Sequence, residues 1–210
     1  MKLTVFGANG RIGRLVVQQA LDAGDEVVAV VRSQYNGKHP NLEVVRVPGL
    51  NDPAALVPAV KGSDAAISGV GARSPKDLTV ASSTTRVILR ALQEAGVHRF
   101  VAVSAAPVGP TPPGERFATR AIAMPLLRRV LRGIYADLAT MEAEIAASGL
   151  DWTVVRPPRL QDKPLTGRYR MAIGANVARG FTVSRADVAH AMLAVLTNPA
   201  TVGQAVGVAA

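Results

Sequence analysis

The chain has 210 residues, 49% of them apolar and 19% charged, with a formal net charge of +9 at pH 7. This composition excludes a disordered chain and supports a genuine hydrophobic core. The lack of cysteine excludes a disulfide scaffold, thiolate metal ligation and a cysteine nucleophile, and no apolar run approaches the roughly 18 residues needed to span a bilayer.

Leu3 to Phe6 reads as a strand, and Ile12, Leu15, Val16 and Ala20 then recur at helical spacing until Gly24. Val27 to Val31 and Leu42 to Val47 read as the second and third strands. Asp52 predicts a helix cap with Pro53 at the first helical position, the helix running to Lys61. A fourth strand follows at Ala65 to Ser68, a helix from Thr79 to Gly96, and a fifth strand at Arg99 to Ser104. Beyond a Pro/Gly-rich loop at 107–114, residues 116–132 predict two short helices separated by Pro125. Asp137 to Ser148 predicts another helix, and Trp152 to Val155 a sixth strand. Ser184 and Asp187 form a capping-box variant opening a helix that Asn198-Pro199 ends, and Ala205 to Val208 reads as the last strand. This rhythm predicts a Rossmann-like doubly wound parallel sheet with helices on both faces. The chain is expected to be a single domain over 1–210, with a small substrate-side lobe drawn from about 105–135 and about 157–185.

The turn Gly7-Ala8-Asn9-Gly10-Arg11-Ile12-Gly13 leaves a strand and enters a helix, the context a phosphate-binding loop requires. Gly7 permits the tight turn, Gly10 lets the backbone approach a pyrophosphate, and Gly13 lets the helix pack close to the strand. The turn therefore predicts a dinucleotide site. At the end of the second strand, Arg32 stands where NAD-binding chains usually carry an acid for the ribose hydroxyl. A guanidinium there suits a 2′-phosphate, so NADP(H) is expected over NAD(H). Arg11, and Lys38 further on, are further candidates for that phosphate.

These features, with Gly62-Ser63-Asp64-Ala65 before strand four and Val103-Ser104-Ala105 after strand five, resemble the atypical short-chain dehydrogenase/reductases, nearest their NAD(P)H-binding, NmrA-like branch. Arg156-Pro157-Pro158 resembles that branch's sixth-strand motif. Asp162-Lys163-Pro164-Leu165-Thr166-Gly167-Arg168-Tyr169 resembles the biliverdin-IXβ reductases, also called flavin reductases. The resemblance implies that Gly7, Asn9, Gly10, Arg11, Ile12 and Gly13 contact the pyrophosphate and adenosine. It further implies that Arg32 holds the 2′-phosphate, that Gly49 and Leu50 flank the adenine, and that Gly71 and Arg73 lie along the cofactor. Ser104, with the backbone of Pro157 and Pro158, would approach the nicotinamide. The chain departs from the bilin-reducing pattern at Arg159 and Leu138, where those enzymes carry histidines; the departures bear on the acceptor rather than the cofactor.

Typical short-chain dehydrogenases use Tyr-x-x-x-Lys, the lysine lowering the tyrosine pKa so that it can exchange a proton near neutral pH. Here Tyr135 is followed by Ala139 at the lysine position, so Tyr135 reads as a packing residue. The missing lysine favours acceptors that delocalise charge, namely flavin, quinone or bilin-like molecules, with Ser104 as the candidate catalytic group. Arg159 and Arg168 are candidate anchors for an anionic acceptor. His39, His98 and His190 have no metal-ligand spacing, so no metal is expected. The basic stretch 116–132 reads as a flap over the nicotinamide with a solvated arginine face, so neither a nucleic-acid nor a membrane partner is expected. The chain is expected to be cytoplasmic, as a monomer or homodimer. The alternative function is a non-catalytic NADP(H) sensor of the NmrA-like type, since a missing proton relay suits that too.

Overall fold

The computed structural model describes residues 1–72, 78–112, 114–115, 121 and 124–210. Among the described residues the strands are β1 (Lys2–Phe6), β2 (Glu26–Val31), β3 (Leu42–Arg46), β4 (Ala65–Ser68), β5 (Arg99–Val103), β6 (Asp151–Arg156), β7 (Arg159–Gln161), β8 (Arg170–Ile173), β9 (Thr182–Ser184) and β10 (Gln204–Ala209). The helices are α1 (Arg11–Asp22), α2 (Pro53–Val60), α3 (Val80–Ala95), α4 (Met124–Val130), α5 (Arg132–Ala146) and α6 (Arg185–Ala194). One sheet runs in the order β3-β2-β1-β4-β5-β6-β10-β8, parallel except for the antiparallel edge strand β8, and β7 pairs with β9 in a separate parallel ladder. This is the doubly wound α/β fold that the sequence predicts.

Alternation along the strands divides the core between two layers. Leu3, Val5, Val27, Ala29, Ala65 and Ile67 turn to one face, where Val16 and Ala20 of α1 and Val188 and Met192 of α6 cover them. Phe6, Val28, Val30, Ala66, Phe100 and Ala102 turn to the other, beneath Leu56 of α2, Ile88 and Leu92 of α3 and Met141 and Ile145 of α5. Burying both faces is what turns these strands into continuous apolar runs.

Two local readings need correction. The helix expected from Asp137 begins at Arg132, and Asp137 is buried inside it. Of the two short helices expected either side of Pro125, the first lies largely outside the described residues; the second is α4, with Pro125 at its second residue, where a missing N–H costs nothing. The helix opened by Ser184 ends at Ala194, followed by a single 3₁₀ turn at Val195–Thr197 before Asn198. Among the described residues, no helix is long and apolar enough to cross a membrane.

Candidate functional site

Register places the turns that follow the central strands side by side. Phe6 at the end of β1 pairs with Val30 of β2 and Ser68 of β4; Ser68 in turn pairs with Ala102 of β5, and Val103 pairs with Val155 of β6. The strand order reverses direction at β1, so the crevice between the β1 and β4 turns is the topological switch point, where folds of this kind take their ligands.

At that point glycines are packed against each other's backbone. Gly7 sits at φ +72, and its carbonyl accepts from Gly10 N at 2.7 Å. A Cβ on Gly13 would lie 2.2 Å from Gly7 O, and one on Gly69 would lie 3.1 Å from Gly13 N. Gly69, directly after β4, is missing from the sequence reading; its place behind a strand in Ser68-Gly69-Val70-Gly71 was the available signal. α1 opens at Gly10 with no side-chain cap and no acid in its first turn. Its leading amides therefore have no acceptor in the helix and carry the positive end of its dipole. Ile12 is buried in the core, so only its backbone is available to a ligand.

Asn9 joins the glycine turn to the loop after β2: its Nδ2 donates to Ser33 Oγ and to Gln34 O, each at 3.2 Å. Arg32 opens that loop, exposed, and Lys38 is exposed beyond it. Arg11 is already engaged. Its guanidinium meets Asp162 at 3.0 Å, and the other oxygen of Asp162 takes Arg185 at 2.7 Å. The Arg11 and Asp162 side chains are 70% and 62% exposed, so their pair contributes at most about 1 kcal/mol and yields readily to a stronger anion. Gly49 and Leu50 follow β3, next to the β2 turn; Leu50 is half-buried against the second core layer. Gly71 is exposed with open space around it. Arg73 lies outside the described residues.

Ser104 closes β5. Its N–H donates to Val155 O at 2.8 Å, yet its hydroxyl is buried and has no partner among the described residues. A buried hydroxyl without a partner is costly and calls for an explanation. The following residues, Pro107 to Pro110, form one wall of a cavity of about 460 Å³, whose other wall is Arg132, Tyr135, Ala136 and Ala139 of α5. The tyrosine and lysine positions of the familiar dehydrogenase motif thus face the same space, and the lysine position holds a methyl group. Burial pushes the Tyr135 phenol above its ordinary value. The loop is held by Asn176, whose Nδ2 donates to Ala106 O (2.7 Å) and Pro110 O (3.0 Å). Arg156 backs it, paired with Glu142 through Nε at 3.1 Å; both side chains are largely buried. Glu144, two residues on and so on the opposite side of the helix, pairs instead with Arg86.

Pro157 is buried and its carbonyl accepts from Ala106 N at 2.8 Å; Pro158 is half-buried beside it. Arg159 on β7 and Arg168 in the following loop are both exposed. That loop is fastened by Asp187, which accepts from Thr166 N and Gly167 N, each at 2.9 Å, and from Ser184 Oγ at 2.7 Å. Burial pulls the Asp187 carboxyl upward, but the hydrogen bonds from Ser184, Thr166 and Gly167 outweigh it and hold the pKa below its ordinary value. Asp137, buried on α5, does the same for α3, accepting from Ala81 N at 2.8 Å and Ser82 N at 3.0 Å. Among the described residues, no cluster of His, Asp or Glu could hold a metal ion.

Residues 7–199 match the family model described as NAD(P)H-binding. The chain is 30% identical over 213 residues to the uncharacterized sugar epimerase YhfK of Bacillus subtilis, covering 98% of this chain and 92% of that one. Among solved structures it resembles a short-chain dehydrogenase/reductase of Veillonella parvula in complex with NADP, with a TM-score of 0.80 at 20% identity over 100% of this chain and 94% of that one. A Streptococcus pneumoniae protein assigned as an NADH-flavin reductase gives a TM-score of 0.78 at 22% identity, covering 100% and 99%. At such identities the solved structures show a shared fold.

Proposed function

This chain belongs to the NAD(P)H-binding family, and from that premise we propose that it is an NADPH-dependent reductase passing a hydride to a conjugated acceptor of the flavin, quinone or bilin type. The observation that carries the reading is the cavity itself: Tyr135 and Ala139 line it together, so a methyl group stands at the lysine position, and burial raises the phenol. A tyrosine so placed is a poor proton donor or acceptor at neutral pH. Acceptors that spread the incoming charge and take their proton from water suit such a site.

The residues at the switch point fit a dinucleotide. The backbone amides at the start of α1, reached past Gly7, Gly10 and Gly13, hold the diphosphate, and Asn9 keeps that turn in register with Arg32. Arg32 takes the 2′-phosphate, and Arg11 exchanges Asp162 for a phosphate oxygen. Gly49, Leu50 and Gly71 border the adenosine and the ribose chain. The unpartnered hydroxyl of Ser104 finds its hydrogen bond on the nicotinamide amide or on the acceptor, and Pro157 and Pro158 shape the wall opposite. When bound, the cofactor supplies the reducing equivalent; the protein orients it and excludes water. Arg159 and Arg168 draw anionic groups of the acceptor.

The test is loss of NADPH absorbance with FMN, a short-chain quinone and a bilin, each in turn. Oxidation with any of them upholds the proposal. Tight NADPH binding without oxidation by any acceptor replaces the reductase with a cofactor sensor. Epimerisation of a sugar, the chemistry in the name of the Bacillus relative, overturns the role given to Tyr135.

A further inference from the structure

The stretch 116–132 was expected to be a flap with a solvated arginine face and no membrane partner, yet on α4 the aliphatic side chains are exposed as well: Leu126 is 60% exposed, Leu127 39% and Val130 71%. At 100° per residue, Arg129, Leu126, Val130 and Leu127 follow one another around an arc of about 160° on one side of the helix. Arg129 is exposed with them. Leu131 N donates to Leu127 O and Tyr135 N to Leu131 O, each at 3.0 Å, so this face is carried rigidly on the start of α5. Between Glu115 and Asp137 the sequence has five arginines and no acidic residue.

We propose that this face of α4 docks the protein on an anionic phospholipid surface, with Leu126, Leu127 and Val130 in the acyl boundary and Arg129 among the headgroups. Charge complementarity selects that occupant. The run from 116 to 136 carries positive charge and no acid, so a second copy brings like charge to like, and a nucleic acid offers no use for three exposed aliphatic side chains. An apolar arc edged by a cation within an all-basic segment is the pattern of interfacial helices, whose binding adds buried apolar area to headgroup attraction.

Flotation with vesicles tests this directly and does not depend on the proposed reductase activity. The full-length protein is expected to float with vesicles containing roughly one-third phosphatidylglycerol and not with pure phosphatidylcholine. It is expected to be released when salt rises from about 50 mM to about 500 mM. Val130→Glu and Arg129→Glu are each expected to lower the bound fraction roughly tenfold. Leu165→Glu, at an aliphatic residue of comparable exposure elsewhere, keeps wild-type binding, so loss through misfolding is distinguishable by that variant and by the melting temperature. Wild-type protein that stays with the solution, equal binding to both vesicle types, or undiminished binding by Val130→Glu with an unchanged melt overturns the proposal. So does light scattering that shows a dimer dissociated by Val130→Glu.

Discussion

Replacing Gly13 with alanine tests the packing at the switch point. The new Cβ would stand 2.2 Å from Gly7 O and 2.8 Å from Gly7 C, an overlap of about 1 Å against ordinary van der Waals contact. Gly7 is held in place by its carbonyl, which accepts from Gly10 N at 2.7 Å. The helix must therefore back away from the turn. Alanine in a helix gains about 1 kcal/mol over glycine, whereas overpacking against fixed backbone costs up to about 3 kcal/mol; a net loss of about 1–2 kcal/mol results. For a domain of this size that lowers Tm by roughly 2–8 °C. The greater effect falls on ligand binding: each amide–phosphate hydrogen bond contributes about 1.5–3 kcal/mol, and a shift of about 1 Å forfeits one or two of them. Calorimetric titration is expected to show NADPH binding weakened by roughly a hundredfold. Gly71→Ala, with no atom of the described residues within 4 Å of its Cβ position, is the matched control for stability and keeps the wild-type Tm. A Gly13→Ala protein with unchanged Tm and unchanged NADPH affinity would refute the reasoning.

Arg32→Ser is expected to weaken NADPH roughly tenfold to a hundredfold while leaving NADH unchanged, measured by titration of both; equal losses for the two would remove Arg32 from the 2′-phosphate site. Ser104→Ala deletes a buried hydroxyl that has no partner among the described residues, so the protein should lose no stability and gain up to about 1 kcal/mol, while turnover falls roughly tenfold to a hundredfold. A protein that melts early at full activity would make the serine structural. Because the Asp187 pKa is depressed in the fold, its contribution is complete above the unfolded value of 3.8 and is shed as pH falls through the lower folded one. Acid melts of the wild type against Asp187→Asn should converge toward low pH, and curves that stay parallel would exclude this carboxylate as a source of acid lability.

What could be read along the chain was whatever is settled by neighbours in sequence. The glycine turn and its flanking strand and helix, the Asp52 cap and the Ser184–Asp187 box all depend on residues a few positions apart, so periodicity and capping chemistry suffice. The three short strands β7, β8 and β9 escaped because three or four residues carry no period of their own and are defined by distant partners, Arg159 by Thr182 and Met171 by Val208. The start of α5 was misplaced for a related reason: Asp137 has the side chain of a helix cap, but the amides it accepts from belong to α3. At the candidate site, the row of glycines and Arg32 were legible, whereas Gly69 against Gly13 and the Asp162 contact to Arg11 join residues far apart in the chain.

The carboxylate of Asp137 also sets an order of assembly. During synthesis the strands and helices up to residue 103 can collapse onto one another as they emerge, but the amides of Ala81 and Ser82 must then wait for an acceptor made more than fifty residues later. A fragment ending short of residue 137 leaves those two donors unsatisfied, and α3 in it is expected to fray at its leading end. Maturation of the amino-terminal half is thereby tied to arrival of the helix that also supplies one wall of the cavity.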